Sequence, residues 1–182
     1  MNASEGIVSV MSISEWISAI SLIIAGLSAL YARHAWTSAR HAILQQTLQT
    51  LHAEYASAEM LDAVDSLWKF YKRHGDANLA AEYEKQRIVD EKELTTKHGS
   101  DRIEFIKTSL HYKRRIVSHF YMHVHHLLNN KIISKEAFYA GWSKADLEII
   151  VKIIVPLEQH LGKTLKTGAS ADRLKLLYDK AK

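Results

Sequence analysis

The chain has 182 residues, a formal net charge of +4 and 47% hydrophobic residues, which is enough for one packed domain with an additional segment. It contains no Cys, which excludes disulfides, cysteine-ligated zinc or iron–sulfur centres and cysteine nucleophiles. Only one Pro and seven Gly interrupt it, so long stretches favour helices and we expect an all-α fold.

The N-terminal part of the chain predicts a membrane anchor. We expect residues 1–12 to form a short tail and residues 13–36 a transmembrane helix. The run WISAISLIIAGLSALY, from Trp16 to Tyr31, carries no charge and approaches the ~20 residues that cross a hydrocarbon core. The predicted lipid-facing residues are Trp16, Ile20, Leu22, Ile23, Ile24, Leu27, Leu30 and Tyr31.

Aromatic and charged residues at the two ends of this segment predict its orientation. Trp16 lies at one end and Tyr31 and Trp36 at the other, as in interfacial aromatic belts. Acidic residues precede the segment and basic ones follow it: Glu5 and Glu15, then Arg33, His34, Arg40 and His41. The positive-inside rule therefore places the C-terminal part in the cytoplasm. Ser12 and Glu15 have the spacing of a capping box, which predicts the helix start.

The N-terminal apolar run has two alternative interpretations besides a membrane anchor. A secretory signal peptide needs a positively charged beginning, which this chain lacks. A buried helix of a soluble bundle remains open. Small residues at helical spacing, namely Ser18, Ser21, Ala25 and Ala29, predict helix packing and self-association of the anchor, although such residues are also common in membrane helices generally.

Residues 37–74 are predicted to continue the helix as a stalk or first bundle helix, and residues 75–182 to form the rest of a cytoplasmic helical domain. One apolar stripe runs from Leu44 to Tyr71 at three- and four-residue steps, and the basic residues before Gly75 are typical of a helix end. The polar stretch 76–98 predicts a solvent-facing helix or linker.

Four further helical elements are predicted along the C-terminal part. One helix is expected from Ser100 to Asn129, with a core face that includes Ile103 and Val117. Ser134 is expected to cap a short helix. The next, from Ser143, is expected to be buried and kinked near Pro156, and a last one to cover Ala171 to Lys182.

The segment HYKRRIVSHFYMHVHH, from His111 to His126, holds the candidate binding residues. His111, Arg115, His119, His123 and His126 share one helix face opposite the apolar stripe. The predicted binding residues are Arg114, Arg115, His119, His123 and His126. His119 and His123 have the spacing of a metal-binding pair, but no carboxylate or Cys nearby in sequence completes a site, and a solvated His stripe is the simpler interpretation. We expect no metal and no cofactor.

Enzyme signatures are sparse. There is no glycine-rich phosphate loop, no HExxH and no nucleophile elbow. The pair Arg114 and His119 resembles the Arg-x4-His motif of the HEPN superfamily of all-helical ribonucleases. That resemblance implies acid–base chemistry on a ribose hydroxyl by His119, with Arg114 supporting phosphate charge, as an alternative function without a metal.

The overall layout resembles a group of uncharacterised bacterial single-pass membrane-anchored helical proteins, some of them associated with phage defence. The residues that carry the resemblance are ISEWISAISLIIAGLSALYARHA, RRIVSHFYMHVHHLL, ISKEAFYAGW and IIVKIIVPLE. It implies a bacterial inner-membrane location and no known catalytic residues. The expected function is a membrane-tethered interaction or effector module rather than an enzyme. Its expected partners are the membrane, further copies of itself and a protein or anionic ligand. Nucleic acid is not favoured, and a soluble helical-bundle oligomer is the remaining alternative.

Overall fold

The computed structural model describes residues 13–165 and 169–181, and every regular element in these ranges is helical. The all-α prediction is therefore confirmed. The predicted tail 1–12, and the proposed capping box of Ser12 with Glu15, lie outside the described residues and side chains. The described chain divides between Gln45 and Gln46 into two compact units, and we call Gln46–Lys182 the helical domain.

Seven α-helices and one wider helical turn follow one another along the described chain. They are α1 Ile13–Tyr55, α2 Ala58–Leu94, α3 Gly99–Thr108, α4 Leu110–Asn129, α5 Lys135–Gly141, the π-helical turn Ile150–Ile154, α6 Val155–Leu165 and α7 Ala169–Asp179.

Helix α1 ends earlier than the sequence predicted for a continuous stalk to residue 74. The interruption falls at Ala56 and Ser57, without Pro or Gly, because the Ser57 hydroxyl accepts the backbone N–H of Met60 at 3.2 Å and starts a new helix. The break predicted at Gly75 is present inside α2, where Gly75 has φ +68°. A residue with a Cβ avoids that conformation, so glycine is well suited to this bend.

The second half of α2 is more than a polar linker. Leu79 and Tyr83 are each 1% exposed and belong to the core of the helical domain. The stretch 76–98 carries few apolar residues, and they divide between the two sides of the helix: Leu79 and Tyr83 face the core, whereas Ile88 and Val89 are exposed. The prediction of a solvent-facing linker is wrong at Leu79 and Tyr83.

The helix predicted from Ser100 to Asn129 is two helices. Ser109 ends α3 and caps α4, since its hydroxyl accepts the N–H of Tyr112 at 3.2 Å. Ile103, predicted in the core, is 60% exposed on α3. On α4 the predicted core face is buried as expected, at Val117, Phe120, Val124 and Leu127.

Two predicted features of the C-terminal part are the helix cap at Ser134 and the irregularity near Pro156. Ser134 caps α5 as predicted, accepting the N–H of Ala137 at 3.1 Å. Near Pro156, where the sequence predicts a kink, the chain forms the π-helical turn Ile150–Ile154. Proline has no N–H to donate to the carbonyl four residues earlier, so the regular helical ladder is interrupted there.

The last turn of α1 is built into the helical domain. Leu51 is 1% exposed, and His52 stacks on Trp142 with ring centroids 4.2 Å apart. Phe138 stacks on Trp142 at 4.8 Å, so Trp142 is held between the two rings. Residues 46–55 of α1 therefore contribute to the domain core.

Candidate functional site

The first part of α1 is apolar and fully exposed. Within Trp16–Tyr55 an 18-residue window has a mean hydropathy of 1.5, and none of that window is buried. The eight residues predicted to face lipid, from Trp16 to Tyr31, are between 53% and 77% exposed. Among the described helices, this one is long and apolar enough to cross a membrane.

The small residues of this segment are also accessible. Ser18, Ser21, Ala25 and Ala29 are all exposed along the helix. The Ser18 hydroxyl donates to the carbonyl of Ser14 at 2.9 Å, so its polar group is satisfied within the helix. This arrangement lets a serine lie in an apolar environment without an external partner.

A cation and an aromatic ring meet at the C-terminal side of the apolar run. The Arg40 guanidinium carbon lies 4.8 Å from the centre of the Trp36 ring, within cation–π distance. Trp36 remains 60% exposed. An indole and a guanidinium on one helix face are suited to a boundary between apolar and aqueous phases.

On α4, four of the predicted binding residues lie on the solvent side. Arg115, His119, His123 and His126 are exposed, and their spacing of four, four and three residues places them along one face. We call these four residues the α4 face. The His126 ring bonds to the Asn130 side-chain amide at 2.8 Å. No group of three or more His, Asp or Glu in the described residues is arranged to hold a metal ion.

Arg114 does not belong to the α4 face. It is 6% exposed, its Nε donates to the Tyr83 hydroxyl at 3.0 Å, and its guanidinium forms an ion pair with Glu158. The other oxygen of Glu158 accepts the Ser170 hydroxyl at 3.3 Å. The charge of Arg114 is therefore neutralised by Glu158 inside the domain and does not face solvent.

Arg114 and His119 are not brought together. Five residues along a helix correspond to about 140° of rotation, so one side chain points inward while the other meets solvent. Of the two residues to which the HEPN resemblance gives roles, only His119 is accessible on the surface of this helix. The arginine that shares the exposed face with His119 is Arg115, one turn earlier, and not Arg114.

His111 connects this buried network to the surface. Its Nδ1 lies 2.9 Å from the Tyr83 hydroxyl. Burial, and then the charges of Arg114, Arg115 and Arg87, lower the pKa of His111. Burial raises the pKa of Tyr83 to about 12, against the opposing effect of Arg114. These shifts favour the uncharged forms of His111 and Tyr83, and the tautomer of His111 sets which of the two groups donates the hydrogen bond.

A cavity of about 210 Å³ opens beside His111, between α2, α3 and α4. Arg115 and Arg87 line it together with Asp90. Arg87 is already bonded to Glu84 and Glu91, whereas one oxygen of Asp90 is buried without a hydrogen-bond partner in the described structure. Arg115 is therefore a cation of this cavity that has no ion pair among the described residues.

Sequence reasoning missed Tyr83, Glu158 and Asp90. Tyr83 and Glu158 meet Arg114 from 31 and 44 residues away, and no local pattern reports such distant pairs. Asp90 sits in a stretch of alternating charges that looks uniformly solvated.

Comparison with known proteins finds no matching family model, no similar curated protein and no similar solved structure.

Proposed function

We propose that this protein is a membrane-tethered interaction or effector module. In this proposal α1 spans the bacterial inner membrane once and the helical domain lies in the cytoplasm. The observation that carries the proposal is the run of exposed large apolar side chains from Trp16 to Tyr31. Moving one such side chain from water into an apolar phase is worth about 1.5–3 kcal/mol, so a bilayer is a far better solvent for this helix than water.

The charge distribution supports the orientation. Glu5 and Glu15 precede the apolar run, and Arg33 and Arg40 follow it. Cationic residues close to a span remain on the cytoplasmic side. Arg40 with Trp36 is suited to the headgroup region of that side.

The absence of native Cys allows a direct test of location and topology. Single substitutions Ser4→Cys and Asn78→Cys are made in the full-length protein, and intact cells and spheroplasts are treated with a membrane-impermeant maleimide. We expect the protein to stay in the membrane fraction after an alkaline carbonate wash, with labelling at 4 only. Release of wild-type protein by carbonate would remove the proposal, and labelling at 78 alone would reverse the topology.

The binding role is assigned to the α4 face and the adjoining cavity. Arg115 is common to both and forms no ion pair within the described residues. It is the cation that a protein carboxylate or an anionic ligand would meet first, while Arg114 is excluded because Glu158 already neutralises it. Tethering raises the local concentration of membrane-bound partners, so weak contacts at this face suffice.

A cellular assay separates this binding role from folding. If the module acts in bacterial defence, plaque counts on cells that express it fall relative to the empty vector. Arg115→Ala and His119→Ala are then expected to restore plaques while membrane content and thermal unfolding stay unchanged. Asp101→Ala, on the exposed surface of α3, serves as the control. Wild-type protein that protects against no phage would remove the defence assignment and leave the tether intact.

The small-residue face supports self-association of the anchors. Ser18, Ser21, Ala25 and Ala29 leave space for a second backbone to approach. Ala25→Leu is expected to reduce energy transfer between two labelled copies in lipid nanodiscs, whereas Leu22→Ile is expected to leave it unchanged. Equal transfer in both variants would place the contact elsewhere.

A further inference from the structure

A second cavity, of about 220 Å³, lies where the end of α4 meets α5 and α7. Lys131, Lys135 and Lys180 line it, His125 adds an imidazole, and no Asp or Glu contributes to its wall. Leucine side chains form the apolar part of the wall. A neighbouring cavity of about 660 Å³ shares Lys135, Tyr139 and Lys180 with it and adds one acidic residue, Glu136. We call the two together the lysine groove.

The lysines of the groove lack the carboxylate partners that other lysines of the domain have. Lys131, Lys135 and Lys180 form no salt bridge within the described residues. Five other lysines of the helical domain do pair with an Asp or Glu, namely Lys69, Lys85, Lys97, Lys113 and Lys152. The groove therefore concentrates positive charge that the fold does not neutralise.

Lys131 is held in the groove by an unfavourable backbone conformation. It has φ +56°, and no other described non-glycine residue has positive φ. Its N–H donates to Leu128 O at 3.2 Å and that of Ile132 to Leu127 O at 3.0 Å, which is the Schellman motif that ends α4. Glycine usually occupies this position, and a residue with a Cβ costs about 1 kcal/mol there. A lysine at this site favours charge over helix-end stability.

The electrostatics at His125 agree with an open positive site. Burial, followed by the charges of Arg173, Lys180 and His126, lowers the pKa of His125. Every charged neighbour that acts on this ring is cationic, from α7 as well as from α4. A bound anion would reverse that field and raise the pKa, which supplies a spectroscopic signature of binding.

We propose that the lysine groove binds a phosphate-bearing anion with at least two negative charges. Lysine ammonium groups act as point charges that suit phosphate, and three of them suit more than one negative charge. The Tyr139 hydroxyl donates to Leu177 O at 2.9 Å, which fixes its ring as an apolar wall for the organic part of such a ligand. This site goes beyond the proposed tethering function and does not depend on the anchor or on the α4 face.

The test uses full-length protein in phosphatidylcholine nanodiscs, titrated calorimetrically with inorganic pyrophosphate at low salt. We expect saturable binding, weakened about tenfold by Lys131→Gly and further by Lys135→Gln with Lys180→Gln. Lys131→Gly is expected to melt at the same or a higher temperature, so loss of binding would not reflect unfolding. Lys72→Gln, an equal charge loss at an exposed site outside the groove, is expected to bind like the wild type.

Two further measurements identify the phosphate source and set the limits of the proposal. A rise in the His125 pKa with pyrophosphate, observed by NMR, supports a soluble ligand. The same rise in nanodiscs containing cardiolipin, whose headgroup carries two phosphates, with loss of pyrophosphate binding, supports a lipid headgroup. Absence of saturable binding and of any change at His125 in both settings would overturn the proposal. Equal weakening by Lys72→Gln would also overturn it, because the effect would then be one of total charge.

Discussion

Arg114 is buried at 6% exposure, and no other charged side chain of the described residues is buried. The side chains of Arg114 and its ion-pair partner Glu158 are 8% and 13% exposed. Tyr83 accepts a further hydrogen bond from Arg114, and Ser170 donates one to Glu158. An ion pair with so little exposure stabilises the folded state hardly more than a well-packed apolar pair would. Removing one partner, however, leaves an isolated charge in a poorly solvated place. The cost of a single substitution is therefore much larger than the value of the pair.

Arg114→Ala is expected to destabilise the protein by about 3–5 kcal/mol, since it leaves Glu158, whose side chain is only 13% exposed, without its cation. Denaturant unfolding of full-length protein in detergent, followed by circular dichroism, measures the change. Arg115→Ala, one residue along on the exposed face, is expected to change stability by less than about 0.5 kcal/mol. Equal effects of the two substitutions would show that the ion pair is not enclosed in solution.

His111 makes stability depend on pH. Its pKa is lowered in the folded state, so the unfolded chain takes up a proton at higher pH than the folded one. Stability from this group is present above the unfolded pKa and falls as pH drops towards the folded pKa. The lowered pKa of His125 changes stability in the same direction.

We expect the melting temperature to fall from pH 8 to pH 5, and to fall less in His111→Gln. A parallel fall in both proteins would assign the effect to other groups.

At the scale of helices, two serines decide where elements begin. Ser57 and Ser109 each accept a backbone N–H three residues later, and each separates two helices without Pro or Gly. The apolar period runs through both positions, so periodicity alone predicts one long helix in each case. A serine within a helical pattern is ambiguous, because its hydroxyl serves equally as an interior group bonded to the previous turn or as a cap.

Ser109→Ala is expected to cost about 1 kcal/mol, because the Tyr112 N–H loses its acceptor at the start of α4. Thermal unfolding in detergent detects a loss of this size. Ser109→Asp, which keeps a capping oxygen, is expected to retain most of the stability. Ser100→Ala, in the exposed first turn of α3, serves as the matched control. If alanine at 109 were harmless, the boundary between α3 and α4 would not depend on the cap.

Sequence periodicity was reliable along α4, although it wrongly placed Ile103 of α3 in the core. It placed Val117, Phe120 and Val124 in the core and the α4 face in solvent. It failed at Arg114, because a cation predicts exposure unless its distant partner Glu158 is known. Periodicity also did not indicate the lysine groove. Its lysines, Lys131, Lys135 and Lys180, are far apart in the sequence pattern and line one cavity only when α4, α5 and α7 pack together.

At the scale of the whole molecule, α1 belongs to two environments. Its first part is exposed and apolar, while its last turn supplies Leu51 to the core and His52 to the stack on Trp142. Tyr55 adds contacts with Phe120 at 5.5 Å. The helical domain is therefore separable from the apolar run only if the cut leaves this last turn in place.

A fragment of residues 46–182 is expected to be soluble and helical without detergent, because the exposed apolar run is removed and the core is kept. A fragment of residues 57–182 is expected to be destabilised by several kcal/mol or to aggregate, since losing Leu51 alone removes a fully buried side chain worth about 2–5 kcal/mol. Circular dichroism and light scattering of both fragments test this. If the shorter fragment were equally stable, the last turn of α1 would lie outside the core. Aggregation of the longer fragment would show that residues 46–182 do not fold on their own.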